Sequence, residues 1–231
     1  MRFSCRDITF KYPDASNYVF KNLSFELTEP GFNALFGPSG VGKTSFAKII
    51  TGEIKEFSGE ISTDSMKILL YSYNLERLPG WSSVGKHLEK IIPLSQKSKK
   101  DELVEAFGLK EFIGARFSQL SLGQQNRVNL IRYLLQDFQM LIMDESLANV
   151  DELTREKILL KIKDMFPQTF FLYISHNVIE VSKFCKQILV LRSAGKIPQV
   201  ITVEGENYST LQQVDKQKLE QTMLEVMNAS S

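Results

Sequence analysis

The sequence predicts an α/β fold built on a mostly parallel sheet, and three observations carry that reading. Short apolar strand patterns alternate with helical ones along much of the chain, as they do where helices cover the faces of a parallel sheet. A glycine-rich turn at residues 37–44 stands between an apolar run and a helical pattern. The stretch from about residue 75 to 130 loses its strand signals and gains helical ones, which reads as a helical insertion into that core.

The elements follow in order. In MRFSCRDITFKY, Phe3 and Cys5, then Ile8, Phe10 and Tyr12, alternate with polar residues, with a slip at Asp7. NLSFELT repeats the alternation, so the first 36 residues read as β-rich. GFNALF is a short apolar run that stops at Gly37, as a buried parallel strand would. A helix after the turn ends at Gly52, and SGEISTD and MKILLYSYN are further strands. VGKHLEKII, KDELVEAFGL and the segment after Leu120 are helical. The polar, basic run SQKSKKDE reads as a solvated loop, since no aromatic platform accompanies its charge. QMLIMDE is an apolar strand ending in two acids, DELTREKILLKIKDMF an amphipathic helix before Pro167, and TFFLYISHN another apolar strand. KQILVLRSAGKIPQVIT reads as a closing hairpin, and residues 205–231 as a helical tail.

Composition sets the bounds. With 231 residues, 43% apolar and 24% charged, the chain can bury a sizeable core as a soluble globular protein. Its formal net charge of +1 argues against a general electrostatic grip on nucleic acid or anionic lipid. Cys5 and Cys185 form no CxxC pair and read as small buried hydrophobes in a reducing compartment. No apolar signal core opens the sequence, and no run approaches the ~18 apolar residues that span a bilayer. Work at a membrane therefore calls for a separate membrane partner.

The most specific motif is Gly37-Pro38-Ser39-Gly40-Val41-Gly42-Lys43-Thr44, which fits G-x-x-x-x-G-K-[ST] in full. Small residues let successive backbone N–H groups curl around a phosphate, and the following helix points its positive end at it. Lys43 is placed to reach the β- and γ-phosphates, Thr44 to supply a hydroxyl to Mg²⁺, and Ser45 completes the nucleotide cradle. A buried strand, Leu141-Ile142-Met143, then delivers Asp144 to the metal and Glu145 to the attacking water. Taken alone, the motif calls for a nucleotide with Mg²⁺ and does not fix which nucleotide or what work.

The segment Leu120-Ser121-Leu122-Gly123-Gln124-Gln125-Asn126-Arg127-Val128 resembles the signature of the ABC ATPases, LSGGQ with its Q-x-R-V continuation. The resemblance continues through the acid pair, Asp151 at the D-loop aspartate and His176 at the switch histidine. It also reaches Asn74 at the Q-loop and Tyr12 at the aromatic that stacks on adenine. It covers essentially the whole chain and is nearest to the nitrate, sulfonate and taurine importers, whose LPW stretch is similar to Leu78-Pro79-Gly80-Trp81. It implies a P-loop NTPase fold: a RecA-like core with a β-subdomain at residues 1–74 and 131–204, a helical subdomain at 75–130, and the tail. It also implies an ATPase subunit that energises a transporter from the inner face of the membrane. A permease coupling helix would dock near residues 74–90. A second ATPase subunit would sit head to tail, with Ser121, Gly123, Gln124 and Asp151 at the shared nucleotide. Glu145, His176 and Asn74 take the catalytic roles, with Asn74 also near the metal.

Four departures bear on turnover. Leu122 replaces a signature glycine, Asn74 is one methylene shorter than glutamine, Ser146 replaces a proline, and the D-loop reads Ala148-Asn149-Val150-Asp151. A slow but active ATPase is expected. Three readings compete with the transporter: a non-transport ABC ATPase of the iron–sulfur assembly type, a nucleotide-regulated binding module, and a small-molecule kinase using the same loop, which would have no reason to carry LSLGQ and His176. Trp81 is either a core residue or part of the permease groove.

Overall fold

The structure, a computed structural model, describes residues 2–64, 66–74, 76–78, 81–92, 97–210 and 214–230. The chain forms two compact units.

The first unit takes residues 1–71, 139–144 and 166–231. Strands β1 (Phe3–Phe10), β2 (Phe20–Leu27) and β4 (Ser58–Ser62) form an antiparallel sheet in the order β2-β1-β4. The slip at Asp7 is a bulge: Asp7 sits at φ 54°, and pairing shifts between Cys5 and Ile8. The second sheet has the order β5-β6-β7-β3-β8-β9, from β3 (Gly31–Phe36), β5 (Leu69–Tyr73), β6 (Met140–Asp144), β7 (Phe170–Ile174), β8 (Gln187–Leu191) and β9 (Val200–Glu204). The β6, β7, β3 and β8 strands run parallel, and β9 closes the edge as the antiparallel arm of a hairpin. Every residue of β6 and β7 is buried, which is why both sequences are unbroken apolar runs instead of alternating ones.

Helix α1 (Lys43–Ile50) buries Phe46, Ala47, Ile49 and Ile50 in the main core. Phe46 meets Phe20 edge-on at 5.8 Å, so the helix that follows the glycine-rich turn is anchored by aromatic packing. Helix α6 (Val178–Phe184) follows β7, and α7 (Lys216–Ser230) packs on α6, β8 and β9.

The second unit takes residues 72–138 and 145–165. Its helices are α2 (Val84–Ile91), α3 (Lys97–Ala106), α4 (Leu122–Leu134) and α5 (Glu152–Met165). The α2 and α3 helices pack on α4, and α3 also meets α5. Arg127 of α4 ties the end of α3 in place by donating to the Phe107 carbonyl at 2.7 Å. Glu76 is clasped by α4 through an ion pair with Arg132, the Tyr133 hydroxyl at 2.8 Å, and Asn129 Nδ2 on its carbonyl at 2.6 Å.

One expectation is overturned here. The run SQKSKKDE is not a solvated loop: from Lys97 onward it forms the first half of α3, with Ser95 and Gln96 outside the described residues. Lys and Glu are good helix formers, and Lys100, Leu103, Val104 and Phe107 fall on one helical face and are all buried. Lys100 still keeps its ammonium beside Glu89 and Asp101, at 3.5 and 3.3 Å.

Neither cysteine is in a disulfide, and both are buried, Cys5 at 1% exposure and Cys185 at 0%. Burial pushes the Cys5 thiol up to about 12, so little thiolate exists near neutral pH. A disulfide-exchange reagent at pH 8 is expected to leave both thiols unmodified in the native protein and to titrate two after denaturation. A rapid native reaction would contradict this packing.

Candidate active site

The glycine-rich turn leaves β3 at Phe36 and enters α1 at Lys43. Gly42 caps the helix at φ 112°, and a Cβ there would stand 2.5 Å from Val19 Cγ1 and 2.9 Å from Phe20 Cε1. Backbone angle and space together demand glycine. Lys43 is buried and arches back over the loop, its Nζ donating to the carbonyls of Gly37 at 2.7 Å and Pro38 at 2.9 Å. The side chain that would meet a phosphate is thereby held above the turn, while Pro38, Ser39 and Gly40 stay exposed.

Asp144 closes β6 with one carboxylate oxygen accepting two hydroxyls, Thr44 Oγ1 at 2.8 Å and Tyr71 at 2.9 Å. The Thr44 contact spans one hundred positions of sequence and joins the loop to the acid strand. The Tyr12 hydroxyl lies 2.9 Å from Ser45 Oγ, and its ring meets Phe10 edge-on at 4.8 Å while remaining 44% exposed. His176 is exposed and stands two residues beyond Ile174, which is in register with Asp144. The turn carrying it is braced by buried Glu180, which accepts from Tyr173 at 2.8 Å, Asn177 Nδ2 at 3.1 Å and Ser175 at 3.3 Å. Burial, and then the Glu180 carboxylate, hold the Tyr173 hydroxyl well above its ordinary range, so it stays a donor. The first unit thus brings together Lys43, Thr44, Ser45, Asp144 and Tyr12.

The second unit carries the remaining predicted residues. Glu145 adopts φ 51°, the left-handed region that residues with side chains seldom occupy, and its carbonyl accepts Ala148 N–H at 2.9 Å to close a turn. Ser146, where a proline was expected to be usual, donates instead to the Ser72 carbonyl at 2.9 Å in a buried position. Asn74 Oδ1 accepts from Asn126 Nδ2 at 2.7 Å. Ser121 caps α4 and Gln124 answers it: Gln124 N–H donates to Ser121 Oγ at 3.3 Å, and Ser121 N–H to Gln124 Oε1 at 2.8 Å. Gly123 is buried against the D-loop, and a Cβ there would lie 2.2 Å from the Asn149 carbonyl. Asp151 accepts Thr154 N–H at 2.9 Å at the start of α5, and that bond chiefly lowers its carboxyl below the usual range. Leu122 is 52% exposed. Trp81 is 80% exposed, which excludes the core reading; Pro79 and Gly80 of the same stretch lie outside the described residues.

Sequence reasoning missed Tyr71, Glu180 and Asn126. Tyr71 lies 73 positions from its partner, and nothing local signals it. Asn126 did leave a trace, a polar residue among the apolar positions of α4.

A strand–glycine turn–helix unit with a lysine over the turn, joined to an acid on a buried strand of the same sheet, defines a phosphate-binding-loop nucleoside triphosphatase. The family described as ABC transporter matches residues 20–148, more than half of the chain, and the chain belongs to that family. It is an ATPase of the transporter ATP-binding type. It is similar to the aliphatic sulfonates import ATP-binding protein SsuB of Bacillus cereus, with 30% identity over 88% of each chain. The SsuB of Bacillus subtilis is 26% identical over 87% of this chain and 83% of that one. The molybdenum import ATP-binding protein ModC of Brucella suis is 30% identical over 73% of this chain, and the match spans about half (52%) of its own length. Among solved structures, a bacterial Atm1-family ABC exporter with ATP bound superposes with TM-score 0.72 at 21% identity, over 82% of this chain and 36% of that one. A putative metal-chelate type ABC transporter in an inward-facing conformation gives 0.70 at 17% identity, over 87% and 82%. These two likenesses speak for the fold.

Proposed function

We propose that the chain binds ATP with Mg²⁺ on the loop at residues 37–45 and hydrolyses it to energise import of a small solute through a separate permease. The observation that supports this most is the joining of Lys43, Thr44 and Asp144 at one loop. Loop N–H groups, the N-terminus of α1 and Lys43 hold the phosphates, and Tyr12 stacks on the base. The donors at the loop are hard oxygens, Thr44 Oγ1 and Asp144 Oδ2, 2.8 Å apart. Among the described residues no group of three His, Cys, Asp or Glu could hold a metal ion alone. That pattern suits Mg²⁺, which takes one or two protein oxygens and completes its shell with phosphate and water. Bound there, the ion neutralises charge on the phosphates. Thr44 and Asp144 hold it, Glu145 orients the attacking water, and His176 and Asn74 contact the γ-phosphate side.

Ser121, Gly123, Gln124 and Asp151 serve the nucleotide of a second copy, head to tail. The capping box orders the N-terminus of α4, whose positive dipole end suits the γ-phosphate in this reading. Exposed Trp81 and the residues near 74–90 take the permease, a role suited to an aromatic that buries much area on docking. No described helix is long and apolar enough to cross a membrane. In this reading the chain works at the inner membrane face, held there by the permease.

The transporter half of the proposal is tested by capture. The tagged full chain, incubated with native membranes solubilised in mild detergent, is expected to retain an integral membrane partner, and Trp81→Ala to retain at least threefold less. Capture of soluble iron–sulfur assembly partners instead, with no membrane protein, would contradict the transporter reading.

A further inference from the structure

We propose that Asn126, in the second turn of α4, is a positioning residue for hydrolysis: one buried amide nitrogen fixes the Asn74 amide and the Glu145 turn together. The inference rests on the reading that Glu145 and Asn74 serve ATP hydrolysis, and it adds the group that holds them.

Asn126 is 3% exposed, and its Nδ2 lies 2.9 Å from the Ala148 carbonyl and 2.7 Å from Asn74 Oδ1. The two ends of an asparagine amide look alike, so their assignment must come from the partners. A backbone carbonyl only accepts. The Asn126 atom facing Ala148 is therefore its nitrogen. That nitrogen only donates, so the Asn74 atom facing it is oxygen. A single backbone carbonyl thus orients two side-chain amides in sequence. At its other end Asn74 presents its NH₂ group, a donor suited to an oxygen of phosphate or water.

The same nitrogen controls the Glu145 turn. Ala148 uses its N–H to close that turn on the Glu145 carbonyl at 2.9 Å, and its C=O to accept from Asn126. Glu145 enters the turn at φ 51°, a conformation that costs energy and persists only where its surroundings enforce it. Asn126 supplies part of that enforcement from a neighbouring helix. Asparagine is a poorer helix former than leucine or alanine, so α4 carries it at some cost to its own stability.

Asn126→Leu keeps the branched shape and the number of side-chain heavy atoms and removes the donor. In the full chain with MgATP, its kcat is expected to fall about tenfold to a hundredfold, as small misplacements of reacting groups do. The KM for MgATP should stay within about threefold, because the phosphate loop belongs to another stretch of chain. The pair Asn74→Ala with Asn126→Leu is expected to be no slower than the slower single variant, since both act through one amide contact. A merely structural Asn126 would lower the folded fraction and leave the two losses to multiply. Should Asn126→Leu fail to melt cooperatively, Asn126→Ser, with one hydroxyl donor for two acceptors, carries the same comparison. Either variant turning over within twofold of wild type, or losses that multiply, would overturn the proposal. Wild-type turnover no faster than that of Glu145→Gln would instead fell the ATPase reading, and this inference with it.

Discussion

Lys43→Ala is expected to lower affinity for MgATP by at least about a hundredfold, roughly 2.7 kcal/mol, and to abolish measurable turnover. The ammonium is buried above the glycine-rich turn with the carbonyls of Gly37 and Pro38 at 2.7 and 2.9 Å. An incoming triphosphate offers it charged oxygens, and charge-assisted bonds are about twice as strong as neutral ones. Removing Lys43 leaves two loop carbonyls without that donor. Pro38 is exposed, so water can replace the lost bonds there, and the cost to stability is about 1–2 kcal/mol. For a chain of this size that is a fall of a few degrees in Tm. The expected signature is therefore a nearly intact melt with lost nucleotide binding, read by titration calorimetry. A variant that melts normally and still binds MgATP within tenfold of wild type would mean that the phosphates lie elsewhere.

Glu145→Gln separates binding from chemistry. The substitution keeps size and hydrogen-bonding reach while removing the carboxylate that would accept a proton from water. General-base assistance of this kind contributes about a hundredfold to ten-thousandfold. Turnover is expected to fall by that range, and the KM or Kd for MgATP to stay within about threefold. The fold is expected to tolerate the change, because the left-handed angle at position 145 suits glutamine no worse than glutamate. Phosphate release from wild type and variant, measured with the membrane partner present, reads the result. Equal rates would remove Glu145 from the reaction.

Much of the fold was legible because local pattern and tertiary demand agree. The unbroken apolar runs around Ile142 and Leu172 proved fully buried parallel strands, and the slip at Asp7 proved a bulge. The placement of the glycine-rich turn was equally legible, since its residue types are dictated by backbone angle and space, as at Gly42. The capping of α4 by Ser121 follows from the S-x-x-Q spacing alone. The charge run at Lys97 misled because polarity was given more weight than the 3–4 spacing of Lys100, Leu103, Val104 and Phe107, which already marked a helix face. The roles of Tyr71 and Asn126 were missed for a different reason. Their meaning lies in partners 73 and 52 positions away, Asp144 and Asn74, and no local period encodes such a pairing. The buried Ser146–Ser72 contact is of the same kind.

In the proposed cycle a triphosphate is shared between the loop of one copy and the Ser121 helix tip of another. Light scattering on Glu145→Gln tests this most directly, since the variant retains MgATP without consuming it. The predicted result is one chain mass, 26.4 kDa, without nucleotide and twice that mass with saturating MgATP, with Ser121→Arg remaining at one. A mass that stays at one chain under saturating MgATP, or a doubled mass that Ser121→Arg does not reverse, would contradict it.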